Sequence, residues 1–111
     1  KMKTASPYPV YALLYVRMAE TAREFGYALA LHGSMERDMD LIAVPWTDKA
    51  VTPDELVKVL IERHVVAFGI NLNEKWEDKP HGRKAKMLFL GGEFTIDLSV
   101  TPAQHQSQEQ K

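Results

Sequence analysis

Cysteine is absent from this sequence, and neither long apolar runs nor an excess of one charge is present. Without cysteine the chain cannot form a disulfide, a thiolate zinc site or a thiol nucleophile. No segment approaches the roughly 18 consecutive apolar residues of a membrane span. The net charge of −1 gives no overall attraction to nucleic acid or to acidic surfaces. We therefore expect a cytoplasmic protein with no membrane partner.

The composition is that of an ordinary globular protein. Of the 111 residues, 45% are hydrophobic and 26% are charged, which is enough apolar material for one core. We expect a single domain over residues 1–102. Residues 103–111 are almost entirely polar, and we expect them to form a disordered tail.

The first half of the chain predicts a helix followed by two strands. Apolar residues recur at helical spacing over residues 10–25, and Gly26 stands where a C-terminal cap is expected. Residues 27–31 contain no polar side chain, which predicts a strand buried on both faces. Residues 38–44 predict a second strand, after a tight turn at Gly33 and Ser34.

The second half predicts another helix and a hairpin. Thr52 can cap a helix that begins at Pro53 and ends near residue 64. Residues 65–72 favour a strand and residues 73–83 a loop. Two strands over residues 85–90 and 94–100 flank the glycines at 91 and 92, which is typical of a hairpin. The predicted fold class is therefore α/β of the α+β kind, a small mixed β-sheet covered by two main helices.

Three aspartates are the main candidates for a functional site. Asp38 and Asp40 alternate along one strand, so their side chains share a face, and Asp97 lies at the centre of a later apolar strand. Aspartate is also common at solvated strand ends and in turns, and that interpretation stays open for the first two. If all three converge, their mutual repulsion amounts to several kcal/mol, and a bound cation is the simplest remedy.

The order of these features resembles the minimal nucleotidyltransferase fold of the polymerase-β superfamily. The resemblance covers most of the chain and rests on Gly33-Ser34, on the Asp-x-Asp of Asp38 and Asp40, and on the later Asp97. It implies that Asp38, Asp40 and Asp97 are catalytic residues that bind divalent metal, Mg²⁺ or Mn²⁺. It also implies that Gly33 and Ser34 hold the phosphates of an NTP, whose nucleotidyl group passes to an unknown hydroxyl acceptor.

Basic residues supply further candidates for anion binding. Arg37 and Arg83, together with Lys84 and Lys86, could contact a triphosphate or a nucleic-acid backbone, although a solvated basic surface explains them equally well. The more suggestive subset is His81-Gly82-Arg83, because glycine between two cationic side chains allows close approach to an anion.

A histidine and two tryptophans each have two interpretations. His32 could contact phosphate or metal, but an ordinary hydrogen-bonded histidine at a strand end is favoured. Trp46 and Trp76 could stack on a base, but packing at the edge of the core is favoured.

Two other functions remain as alternatives to nucleotidyl transfer. One is a catalytically inactive binding module with the same fold, such as a toxin-neutralising or regulatory partner protein. The other is a nucleic-acid-binding protein that uses Arg83, Lys84 and Lys86. A homodimer is also possible, because an edge strand of so small a sheet can pair with a second copy.

Overall fold

The computed structural model describes residues 8–35, 37–65, 75–89 and 94–103. Within them, two α-helices pack on a five-stranded mixed sheet, as the sequence predicts. No helix among these residues is both long and apolar enough to cross a membrane. The elements in chain order are α1 (Tyr8–Glu24), β1 (Tyr27–His32), β2 (Asp38–Pro45), α2 (Pro53–Leu60), β3 (Glu77–Asp78), β4 (Lys84–Phe89) and β5 (Thr95–Val100).

Helix α1 forms because its buried side chains recur at helical spacing. Tyr11, Leu14, Met18 and Ala22 are all buried and line one side of the helix. The helix ends at Glu24, and Gly26 follows it with a φ of +91°, the left-handed conformation typical of the residue after a helix C-terminus. A Cβ on Gly26 would lie 2.5 Å from the Cα of Ala50. The close approach of the loop after β2 therefore also requires glycine at position 26.

Helix α2 begins with a complete capping box. The Thr52 hydroxyl accepts a hydrogen bond from the Glu55 backbone N–H, and the Glu55 carboxylate accepts one from the Thr52 backbone N–H. After Leu60 the chain continues as a π-helical turn over Ile61–Val65, so helical structure ends close to the predicted residue 64. The apolar side of α2 packs into the same core as α1.

The strands lie in the order β1-β2-β5-β4-β3. Strands β2 and β5 are parallel, and the other neighbours are antiparallel. The helices cover one face of this sheet, called here the covered face. We call the other side the open face. Side chains of the three central strands alternate between them, so every second residue of β2 is buried.

The prediction that β1 is buried on both faces is wrong. Ala28 and Ala30 are exposed, while Tyr27 and Leu29 are buried. Alanine is small enough to be tolerated on either side of a sheet, so the apolar run did not reveal that one side faces solvent. Helix α1 partly protects this edge strand, because the Tyr15 hydroxyl donates a 2.9 Å hydrogen bond to the Leu29 carbonyl.

The segment before the final hairpin is more regular than the predicted loop. Two exposed residues, Glu77–Asp78, form β3, and a 3₁₀ turn follows at Pro80–Gly82. A two-residue strand has no hydrophobic period, so only its pairing with β4 defines it. The hairpin of β4 and β5 is confirmed. The strand predicted over residues 65–72 begins at Val65, which is in the π-helical turn; residues 66–74, Gly91, Gly92 and residues 104–111 lie outside the described residues.

Candidate functional site

Strand β2 carries Asp38 and Asp40 on the open face. The two acids are partly exposed and alternate with Met39 and Leu41, which are fully buried beneath the helices. The alternation follows from the two-residue period of a strand. The predicted sharing of one face by the two carboxylates is therefore confirmed.

The pairing of β2 with β5 brings the third acid beside them. In this parallel ladder Asp40 lies opposite Asp97, and Asp38 lies opposite Thr95. Directly opposed residues of neighbouring strands, roughly 4.8 Å apart, project to the same side of a sheet. All three predicted acids therefore lie on the open face, on two adjacent strands that begin at the same end.

On the other side of Asp40, β1 ends at His32. His32 is exposed and lies directly opposite Asp40 in the antiparallel ladder. The row across the sheet is therefore His32, Asp40 and Asp97, in that order. This arrangement brings His32 close to the acids, whereas the sequence favoured an ordinary histidine at a strand end over one that contacts phosphate or metal.

The turn after β1 makes room for one of these carboxylates. Gly33 has a φ of +81°, and a Cβ at this position would lie 2.7 Å from Oδ2 of Asp40. No side-chain carbon is tolerated at that distance without movement of the carboxylate. The glycine of the Gly-Ser turn thus lets the Asp40 side chain lie directly against the backbone.

An open cavity of about 440 Å³ adjoins this turn. The described residues that line it are Ser34, Arg37, Asp38 and Asp40. Together with the adjacent Gly33, five of the seven predicted site residues therefore lie around one cavity. The guanidinium of Arg37 is the cationic group in this set, and the two carboxylates are its acidic part.

Asp97 is held in a less favourable environment than an exposed aspartate. Burial raises the pKa of its carboxyl group, and the negative charges of Asp40 and Asp38 raise it further, whereas the positive charges of Lys79 and His32 lower it. The net shift of the pKa is upward. The ionised carboxylate would therefore be stabilised by additional positive charge on the open face.

Arg83 is not brought to this cavity. It precedes Lys84, which pairs with Val100 at the far end of β5, whereas Asp38 pairs with Thr95 at the near end. Five residues along a strand correspond to roughly 16 Å. The neighbouring Gly82 packs against Pro102 instead.

Tyr11 is a residue of the site that sequence reasoning missed. Its buried hydroxyl donates a 2.6 Å hydrogen bond to the carbonyl of Arg37 and accepts a 2.8 Å hydrogen bond from the N–H of Thr95. It therefore joins the residue before Asp38 to the residue opposite Asp38. Burial raises the pKa of Tyr11, and the negative charge of Asp38 contributes to this rise. In the sequence Tyr11 is only a tyrosine on the apolar side of α1. That position does not show whether its hydroxyl hydrogen-bonds to two strands or whether the ring simply packs in the core.

The two tryptophans are not part of the site. Trp76 packs against the core and donates a 2.7 Å hydrogen bond from its indole N–H to Asp54, so packing at the core edge is confirmed for it. Trp46 is 61% exposed in the loop after β2, at the opposite end of that strand from Asp38.

Carboxylates are the protein ligands that hard divalent cations prefer. No group of three or more histidine or acidic side chains within the described residues has the geometry of a complete metal site. Mg²⁺ is commonly bound by only one or two carboxylates, together with water and substrate phosphates. Asp38 and Asp40, beside a turn whose backbone is accessible, offer carboxylates of this kind.

Comparisons with known proteins leave the site to be interpreted from its own chemistry. No family model matches the chain, and no curated protein matches it. The fold and the site define an α+β protein with carboxylates gathered at one end of an open sheet face.

Proposed function

We propose that this protein is a metal-dependent nucleotidyltransferase that binds an NTP on the open face of the sheet. The observation that carries the proposal is the β2–β5 register, in which Asp97 lies opposite Asp40, two residues from Asp38. The three acids come from two separate strands and lie partly exposed on one face of the sheet. Their mutual repulsion favours a site that is completed by a cation.

The residues divide the binding task according to their chemistry. Asp38 and Asp40 would hold Mg²⁺ or Mn²⁺, with Asp97 as the third carboxylate. The Gly33-Ser34 turn and Arg37 would bind the phosphates, since a tight glycine turn exposes backbone and a guanidinium binds phosphate oxygens in pairs. The divalent ion, when bound, neutralises phosphate charge and stabilises the departing pyrophosphate.

The proposed reaction joins the nucleotide to a hydroxyl compound. The acceptor oxygen forms a bond to the α-phosphorus, and the bond from that phosphorus to the bridging oxygen breaks. Pyrophosphate leaves with the bridging oxygen, and the hydroxyl proton is released to water. The task of the chain is to orient the two reactants and to balance the charge between them.

Thermal unfolding tests whether the site binds metal and nucleotide. Metal-stripped protein would be heated alone, with Mn²⁺ or Mg²⁺, and with each NTP added to the metal. Ligand at one hundred times its dissociation constant adds about 2.7 kcal/mol, which raises Tm by on the order of 10 °C for a domain of this size. We expect a metal-dependent rise that increases with at least one NTP.

Matched substitutions locate the effect. Asp38→Asn with Asp40→Asn should abolish the rise, because the amides cannot replace the charge of the carboxylates. Asp48→Asn, an exposed acid in the loop after β2, should leave it unchanged. A rise that survives in the double variant would contradict the proposed site.

Pyrophosphate release separates the enzyme from its main alternative. Metal-dependent release with an NTP, lost in the double variant, would support transfer. Nucleotide binding without release in the presence of any hydroxyl compound tested would favour a catalytically inactive binding module, such as a toxin-neutralising or regulatory partner.

A further inference from the structure

Two residues outside the acidic site, Trp46 and Arg83, lie at the other end of the sheet. Trp46 directly follows β2, and Arg83 directly precedes β4. Along β2, Trp46 is six residues from Asp40, which corresponds to roughly 20 Å. Neither residue therefore belongs to the acids or to the Gly-Ser turn.

Both side chains project toward the open face. The covered face carries a cavity of about 440 Å³ beside the start of α2, and neither Trp46 nor Arg83 lines it. The Trp46 N–H donates a 3.0 Å hydrogen bond to the Gly26 carbonyl, which extends the pairing of β1 with β2 by one residue. Arg83 is also extended, with φ of −76° and ψ of 147°, so each side chain points opposite to its neighbours. Those neighbours do line the cavity: Pro45, Thr47, Gly82 and Lys84.

Arg83 lies close to the end of β2 across a single strand. Val100 of β5 pairs with Ala43 on one side and with Lys84 on the other. The Thr101 N–H donates a 3.0 Å hydrogen bond to the Ala43 carbonyl, so this order of strands continues beyond β5. Two strand spacings, or roughly 10 Å, therefore separate the backbone of Arg83 from that of β2. The spacing suits a ligand with a planar ring at one end and a negative charge at the other.

Neither side chain is engaged by the described part of the chain. Trp46 is 61% exposed, more than any other large apolar residue there. Its indole N–H has no hydrogen-bond partner among the described residues, whereas that of Trp76 donates to Asp54. The Arg83 guanidinium likewise has no hydrogen bond or ion pair with them. An indole stacks on nucleic-acid bases, and a guanidinium binds phosphate oxygens in pairs.

The acids of β3 do not neutralise Arg83. The pairing of β3 with β4 places Glu77 on the open face, but its carboxylate is already paired with Lys79 at 3.2 Å. Asp78 lies opposite Lys84, on the covered side. The Arg83 carbonyl accepts a 2.8 Å hydrogen bond from the Lys79 N–H, which fixes the turn that presents the guanidinium. Arg83 therefore offers a positioned positive charge to a ligand.

We propose that Trp46 and Arg83 form a second binding site on the open face, which takes a nucleoside phosphate. The base stacks on the Trp46 indole, and the phosphate binds the Arg83 guanidinium. A free mononucleotide and one unit of a single-stranded nucleic acid both present these two groups. The site needs no metal, and it does not rest on the function proposed above.

The indole N–H signals give a direct test, because the chain has two tryptophans and only one lies in this site. Metal-free protein would be titrated with AMP, with a short single-stranded oligoadenylate, with adenosine and with ribose 5-phosphate, while NMR follows both signals. We expect AMP, the oligonucleotide or both to shift the Trp46 signal and to leave that of Trp76 unchanged. Adenosine and ribose 5-phosphate each lack one of the two groups and should have smaller effects. The tighter-binding of the two nucleotide probes identifies the source of the ligand.

Matched substitutions check the two contacts, with the amides of the turn before β4 as the readout. Trp46→Ala should weaken binding by about fivefold or more, because one stacked base is lost. Arg83→Gln should weaken it by about tenfold, because charge-assisted hydrogen bonds to phosphate are lost. Leu13→Ala, at a residue that is 60% exposed, and Arg23→Gln, at an exposed arginine of α1, should leave the affinity unchanged.

The acidic site supplies the remaining control. Asp38→Asn with Asp40→Asn removes the proposed metal ligands and should leave binding at Trp46 intact, so failure of one site is distinguishable from failure of the other. The second site is excluded if neither nucleotide probe shifts the Trp46 signal, or if the Trp76 signal moves as much. It is also excluded if binding is lost with the two acids, or if the α1 substitutions weaken binding as much as Trp46→Ala.

Discussion

The two faces of β2 differ in what they contribute to the molecule. On the covered face Met39, Leu41 and Ala43 are completely buried and contact the helices. On the open face Asp38 and Asp40 are partly exposed, and they share that face with Asp97 of β5. The covered face stabilises the fold, whereas the open face gathers charges that oppose it. Removing a buried side chain from the covered face should therefore lower stability, whereas removing the charge of Asp97 from the open face should raise it.

The largest effect is expected on the covered face. Leu41→Ala removes a fully buried side chain next to Asp40 in the chain and should lower the free energy of unfolding by about 2–5 kcal/mol. Leu13→Ala, on the exposed side of α1, removes the same atoms where 60% of the side chain is already in solvent. It should change stability by no more than about 0.5 kcal/mol. Urea denaturation measures both, and equal losses would contradict the assignment of the two environments.

A smaller loss is expected for the residue that joins the two acid-bearing strands. Tyr11→Phe retains the ring but leaves the Arg37 carbonyl and the Thr95 N–H without their shared partner. The expected cost is about 1–3 kcal/mol, compared with about 0.5–1.5 kcal/mol for Tyr15→Phe, which loses one hydrogen bond to Leu29. Urea denaturation again supplies the measurement. A smaller loss for Tyr11→Phe than for Tyr15→Phe would show that the link between the strands is unimportant.

Asp97→Asn should stabilise the metal-free protein. Because the pKa of Asp97 is raised in the folded protein, its ionisation disfavours folding. This unfavourable contribution is absent below the ordinary aspartate pKa, develops as the pH rises through the raised pKa, and is complete at neutral pH. Removing the charge should therefore increase stability at pH 7 by on the order of 1 kcal/mol or less, given the partial exposure of the group.

The pH dependence distinguishes this electrostatic effect from a change in packing. The difference in Tm between Asp97→Asn and the unsubstituted protein, a few degrees at pH 7, should disappear near pH 3. Asp48→Asn serves as the matched control and should show little difference at either pH. If Asp97→Asn is destabilising at pH 7, or if its effect does not vary with pH, repulsion among the acids is not the cause.

Local rules predicted the covered face better than the open one. The helical spacing of α1, its terminal Gly26, and the capping box of Thr52 and Glu55 are each contained in a few adjacent residues. The alternation that assigns Asp38 and Asp40 to one side of β2 is equally local. These elements and the α+β class could therefore be derived before the structure was known.

Features of the open face depend on contacts between distant residues. The parallel register that pairs Asp40 with Asp97, and the hydroxyl of Tyr11 that reaches Thr95, join segments separated by more than fifty positions. Which face the helices cover decides that one side of β1 is exposed. The pairing of the hairpin decides that Arg83, just before β4, lies at the end of the sheet away from Asp38. Periodicity of the sequence carries no information on either choice.

Localised binding of Mn²⁺ is the most direct test of the central claim, that the acids of the open face form one metal site. Mn²⁺ broadens the NMR signals of nearby amides. We expect substoichiometric Mn²⁺ to broaden the amide signals of His32, Asp40 and Asp97, while those of Val44 and Thr101, near the other ends of β2 and β5, remain sharp. The Asp38→Asn, Asp40→Asn double variant should lose this pattern. Broadening that is centred elsewhere, or that persists in the double variant, would show that these acids do not form a metal site.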